Sequence, residues 1–194
     1  MVSEIRVYVE GGGRDKHGKT SIRKGFHGFL ENVIERIRAK KVRFSIVACG
    51  GREEAIADFR KALASHADSF NILLVDSEGP VSESSDDAGS VTDENHHFMV
   101  QLMEAWFLAD VEALKGFYER DFNANAIPHN PKVEEIDKDR ILSGLNEATK
   151  RTSKGEYHKV RHGPGILERL DASRVRKAAP HCERLFSTLE KIVG

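Results

Sequence analysis

The chain has 194 residues, 39% apolar and 31% charged, with a net charge of −1. That mixture excludes a disordered or fibrous chain, and the length allows one domain with a real apolar core. Two cysteines, Cys49 and Cys182, exclude a disulfide framework; both are expected as buried, small apolar groups in a reduced setting.

Ile5-Arg6-Val7-Tyr8-Val9 alternates and then meets Glu10-Gly11-Gly12-Gly13, which predicts a strand running into a glycine turn. Apolar residues from Ile22 to Ile37 recur at steps of three and four, which predicts one amphipathic helix of about five turns. Val42 to Ala48 reads as a second strand, closed by Gly50-Gly51, and Arg52 to Ala64 as a second helix. Asn71-Ile72-Leu73-Leu74-Val75 is an unbroken apolar run, expected of a strand buried on both faces. Val81 to Asn95 is rich in Ser, Asp and Gly and reads as a long loop. A fourth strand is expected from His96 to about Met103, then a helix to Phe117. Beyond Tyr118 only helices are expected, over Val133–Thr149, after Gly163-Pro164-Gly165, and from Pro180.

Strands alternating with helices imply an α/β fold. The expected sheet is mainly parallel, of about four strands, flanked by helices and followed by a helical C-terminal part. The expected division is a core over residues 1–117 and a helical extension over 118–194 packed on it. The strand ends then share one edge, where open α/β sheets place their ligands. No apolar run reaches membrane-spanning length, and the first residues lack a signal-peptide pattern, so a cytoplasmic protein without a membrane partner is expected.

The near-zero charge conceals an asymmetry. Between Ala62 and Leu114 there are eleven acids and no Lys or Arg, leaving 20 acids against 30 bases elsewhere. An acidic middle in a basic frame suits a metal site beside phosphate-binding surface, although solvated loops also account for it.

Two phosphate chemistries compete. Gly13-Arg14-Asp15-Lys16-His17-Gly18-Lys19-Thr20 fits the phosphate-cradling pattern G-x-x-x-x-G-K-[ST] between a strand and a helix. This reading makes the chain a nucleotide hydrolase or kinase using Lys19 and Thr20. Against it, Glu10-Gly11-Gly12 intervenes after the strand, and a carboxylate there would repel phosphates unless a metal intervened.

The rival is the acid set. Glu10 ends the first strand, and Asp76 and Glu78 follow the third, where an i, i+2 pair in strand geometry points to one side. Such carboxylates repel one another, and Mg²⁺ or Mn²⁺ relieves that with hard oxygen ligands. Glu104, expected at the end of the fourth strand, could complete the group, with Asp15 a weaker member.

Val9-Glu10-Gly11-Gly12-Gly13, Ala48-Cys49-Gly50-Gly51-Arg52, Leu74-Val75-Asp76-Ser77-Glu78 and the segment Met99 to Asp110 resemble the domain-of-unknown-function family 4276, nearly end to end. That family looks like a branch of the TOPRIM fold, found in topoisomerases, primases and OLD-type nucleases. The resemblance implies Mg²⁺ held by Glu10 and Asp76, with Glu78 in place of the usual second Asp and Glu104 a looser match. It also implies nucleic acid as substrate, DNA before RNA, and an ATPase partner in bacterial or phage-defence modules. A homodimer is a further expectation.

For phosphate contact the expected residues are Arg52 after Gly50-Gly51, and Lys154, Lys159, Arg161 and His162 in the basic tract from Lys150 to His162. His96-His97, on opposite faces of one strand, and Trp106 and Phe107 are read as structural. The leading expectation is therefore a metal-dependent phosphodiesterase. A phosphate-loop enzyme and a non-catalytic subunit of an ATPase complex are the alternatives.

Overall fold

The computed structural model describes residues 2–81 and 94–194. Among the described residues, strands β1 (Glu4–Glu10), β2 (Arg43–Gly50), β3 (Ser69–Asp76) and β4 (His96–Met99) form a parallel sheet in the order β2-β1-β3-β4. The helices are α1 (Lys16–Phe29), α2 (Glu31–Ala39), α3 (Arg52–Ser65), α4 (Glu104–Leu108), α5 (Val111–Tyr118), α6 (Lys138–Thr149), α7 (Lys159–Leu167), α8 (Ala172–Ala178) and α9 (Pro180–Val193). The fold is thus the α/β arrangement that the alternating elements predict, with four parallel strands and a helical C-terminal part.

Period-two alternation assigns the two faces of the sheet. Ile5, Val7, Val9, Ile72 and Leu74 enter a thick apolar layer with Phe26, Ile34, Trp106 and Leu185 from the helices. Tyr8, Leu73, Val75 and Phe98 face the other way, against Ala55, Phe59 and Ala62 of α3. Both faces are covered, which is why β3 is continuously apolar. Cys49 and Cys182 are free and buried.

The helix expected unbroken from Ile22 to Ile37 differs in two ways. It begins earlier, at Lys16, and it bends at Leu30 into α1 and α2. The two halves serve different neighbours, α1 packing on α7 and α2 on α9. Close approach of α1 and α7 depends on Gly25: a Cβ there would lie 2.7 Å from the Pro164 carbonyl oxygen. Gly163-Pro164-Gly165, expected to precede a helix, lies inside α7. This tight seat against α1 offsets the hydrogen bond that Pro164 cannot make.

The fourth strand is shorter than expected and ends at Met99. Gln101 takes a left-handed φ of 65°, and the chain turns into α4. A short, mostly apolar stretch such as Val100–Met103 cannot distinguish a buried strand from a buried turn. Glu104 therefore opens a helix and does not end a strand. The following helix breaks at Asp110, which accepts from Ala113 N at 3.3 Å and caps α5. Of the loop expected over 81–95, residues 82–93 lie outside the described residues, and with them Glu83, Asp86, Asp87 and Asp93 of the acidic middle. Among the described residues no helix is long and apolar enough to cross a membrane.

Candidate metal centre

The site sits at the C-terminal edge of the sheet, where β1 and β3 end side by side. Pairing of β1 with β2 slips between Val9 and Glu10, leaving Cys49 as the extra residue of a bulge. Beyond the bulge Gly11 N donates to the Gly50 carbonyl at 2.8 Å, and the Glu10 side chain turns to β3, accepting from Asp76 N at 3.2 Å. The chain then reverses over Gly12 (φ 82°), where a Cβ would lie 2.7 Å from Ile22 Cγ2 and 2.9 Å from Lys19 Cα. Only glycine allows this turn to close against α1.

Asp76 continues the alternation of Ile72 and Leu74, so its carboxylate faces the thick helical layer. It is 1% exposed. Its Oδ1 accepts from Met103 N at 2.8 Å and its Oδ2 from the Lys159 ammonium at 2.8 Å. Arg52, the first residue of α3, donates to the Asp76 main-chain carbonyl and so ties the end of β3 in place.

Glu78 arrives by a route that sequence spacing did not foresee. The strand stops at Asp76, and Glu78 reaches the site through a left-handed bend, φ 59°. Its main-chain N–H donates to the Gln101 carbonyl at 3.0 Å, so the bend is fixed by the equally left-handed turn after β4. Such a conformation in a non-glycine residue costs about 1–2 kcal/mol and persists because neighbours over-determine it. The exposed Glu78 carboxylate pairs with Lys138 at 3.1 Å.

One carboxylate oxygen from each of Glu10, Asp76 and Glu78 lies within 4.8 Å of the others. Burial first, and then the Asp76 charge, push the Glu10 carboxyl up to about 7. Burial also raises Asp76, against the opposing pull of Lys159. Hard oxygen donors so close, partly buried and short of positive charge, fit a divalent cation. Glu10 and Asp76 border a pocket of about 220 Å³ whose walls include Gly12, Ile22, Met103 and Pro164.

Glu104 is adjacent but outside that trio. It is completely buried; Oε1 accepts from Tyr157 OH at 2.7 Å, and Oε2 lies 3.9 Å from the Lys159 ammonium without a hydrogen-bond partner. Burial raises the Glu104 carboxyl. Burial opposes the Lys159 charge, but Asp76, Glu104 and Glu10 outweigh it and hold the ammonium above its ordinary pKa. Lys159 is thus the cation between Asp76 and Glu104, with its side chain still 44% exposed.

The other expected phosphate contacts are dispersed. Lys154 is exposed and lies 5.4 Å from the Phe117 ring, and Arg161 is exposed on α7. His162 is 7% exposed and bonded to Tyr118 OH at 3.0 Å, inside the fold and away from solvent. Asp15 is the N-cap of α1, its carboxylate accepting from Gly18 N at 2.8 Å, and takes no part in the acid trio. That same bond occupies an amide that a phosphate loop would offer to its ligand, and the Thr20 hydroxyl donates to the Lys16 carbonyl. His97 is 1% exposed, and Trp106 is completely buried, its ring stacked 5.2 Å from that of Phe29. Sequence reasoning missed Tyr157, Lys138 and the Met103 amide, because each reaches the acids from a segment remote in sequence with no local pattern to mark it.

The family model described as Domain of unknown function (DUF4276) matches residues 9–190, so the chain belongs to that family. No curated protein and no solved structure matches the chain.

Proposed function

We propose that this DUF4276 protein is a metal-dependent phosphodiesterase of TOPRIM-like type that cleaves nucleic acid, DNA in preference to RNA, with Mg²⁺ or Mn²⁺. The observation that carries the reading is the meeting of Glu10, Asp76 and Glu78 carboxylate oxygens within 4.8 Å at the C-terminal edge of a parallel sheet. Their order, a Glu after the first strand and acids two apart after the third, supports the TOPRIM-like assignment. A bound ion would polarise the scissile phosphoryl group and activate water.

The chain's own residues then divide the work. Glu10, Asp76 and Glu78 would hold the ion. Arg52 and the Met103 amide fix the orientation of Asp76. Tyr157 holds Glu104, and Glu104 with Asp76 places the Lys159 ammonium beside the pocket, where it can meet a phosphate oxygen. Asp76 would be shared between the ion and Lys159, and Glu104 Oε2, 3.9 Å from that ammonium and without a hydrogen-bond partner, could take it up. The family resemblance further supports an ATPase partner, which co-purification from a host carrying both proteins would test.

The test is cleavage of supercoiled plasmid and of single-stranded DNA and RNA with Mn²⁺ or Mg²⁺, comparing wild type with Glu10→Ala and Asp76→Asn, alongside Mn²⁺ titration calorimetry. Metal-dependent cleavage lost in both variants supports the reading. Wild type that takes up no Mn²⁺, or cleavage that survives both substitutions, ends it.

A further inference from the structure

Helix α1 carries a run of charge that the metal centre does not use. From Lys16 to Leu30 there are four bases, Lys16, Lys19, Arg23 and Lys24, and no acid. Among the described residues Lys24 pairs with Glu168 at 3.1 Å, whereas Lys16, Lys19 and Arg23 make no ion pair. Lys16 and Arg23 are exposed and Lys19 is half-buried. Spacings of three and four residues set these three along one side of the helix. Seven residues of helix cover about 10 Å, enough for phosphates of one strand, spaced at roughly 3.4 Å of axial rise, to meet all three bases.

The ridge leads to the acid pocket. Ile22 of the same helix lines that pocket, as do Gly12 and Gly50. Lys19 sits against both glycines: a Cβ on Gly12 would lie 2.9 Å from Lys19 Cα, and one on Gly50 3.8 Å from Lys19 Cε. Lys19 is therefore the base of this helix that packs against the glycine turns bordering the pocket. The tract from Lys150 to His162 offers less. Lys150 pairs with Glu147 at 2.6 Å, Lys159 with Asp76, and His162 is buried.

We propose that α1 is the surface that carries a nucleic-acid backbone to the metal centre, with Lys16, Lys19 and Arg23 on successive phosphates and Lys19 nearest the reacting one. This rests on the phosphodiesterase reading above. It also accounts for Gly18-Lys19-Thr20 resembling a phosphate loop: the lysine serves phosphate from the helix flank, while Asp15 occupies the Gly18 amide.

The experiment is fluorescence anisotropy of labelled single-stranded DNA, duplex DNA and RNA in EDTA, between about 50 and 200 mM salt. The variants are the triples Lys16→Ala/Lys19→Ala/Arg23→Ala and Arg151→Ala/Lys154→Ala/Arg161→Ala, each checked for folding by circular dichroism and for unchanged Mn²⁺ uptake. The α1 triple is expected to bind about tenfold more weakly or worse and to flatten the log–log salt slope by about 2–3. The second triple is expected to change affinity by less than about threefold. Wild-type affinity in the α1 triple, or a larger loss in the second triple, overturns the assignment of α1 and leaves the phosphodiesterase reading standing. Wild type that takes up Mn²⁺ but binds no nucleic acid overturns both.

Discussion

Two charged clusters in this molecule are built on opposite plans. Where α8 meets α9, Arg176 grips Glu183 with two nitrogens at 2.6 and 2.9 Å and Glu190 at 3.0 Å, with Arg36 adding a second cation 3.1 Å from Glu190. Hydrogen bonding to Arg176 holds the Glu183 carboxyl below its usual range. At the sheet edge Glu10, Asp76, Glu78 and Glu104 gather around Lys159 and Lys138, and three of the four carboxyls are pushed up. The first cluster is a closed electrostatic account within the chain. The second is short of positive charge, and its crowded acids could hold a metal ion.

The largest expected effect separates the two directly. Asp76→Asn should weaken Mn²⁺ binding by at least about a hundredfold, about 2.8 kcal/mol, in titration calorimetry, while Arg176→Ala leaves it unchanged. Equal losses would mean that acid crowding at the sheet edge has nothing to do with ions.

Lys159→Met sharpens the contrast. Without its ammonium, Asp76 and Glu104 are buried with no cation beside them, so stability in EDTA should fall by about 1–3 kcal/mol in urea melts. That is less than for a fully enclosed pair, because the exposed stem leaves solvent screening. Mn²⁺ should restore most of the loss, since the ion replaces the missing charge. A loss untouched by Mn²⁺ would make Lys159 an ordinary structural pair.

Arg176→Ala should cost about 1–2 kcal/mol, with no recovery on adding Mn²⁺, because its partners are half-exposed. The last effect concerns pH. Burial, aided by Arg184, pushes the His97 imidazole down to about 4 from its usual 6.5. Between those values His97 binds more protons in the unfolded chain, so its own contribution to stability is full above about 6.5 and declines as pH falls toward 4. His97→Gln should flatten that decline, read from urea midpoints at about pH 5 and 7; a parallel decline in the variant would assign it to other groups.

The same division between local and non-local causes explains what could be read in advance. Parallel strands followed from β-branched runs alternating with helical spacing, since a covered parallel sheet demands apolar residues at successive positions, as in Ile72–Val75. Glu10 and Asp76 were legible because strand ends in such a sheet share an edge. Glu78 was legible as a residue but not as a conformation: its left-handed bend depends on Gln101, 23 positions on. The break at Leu30 left no sequence mark, because it answers to α7 and α9.

By itself, then, the sequence determined the alternation of strands and helices, the two buried faces and the acidic make-up of the candidate site, for these rest on periodicity and residue chemistry within short windows. Tertiary structure alone decided which charges are matched. Whether Lys159 serves Asp76 or solvent, whether His162 is exposed, and whether Glu104 joins the acid trio depend on how α4 and α7 pack onto the sheet edge. Electrostatic energy changes steeply over a few ångströms, and spacing along the chain does not encode that distance.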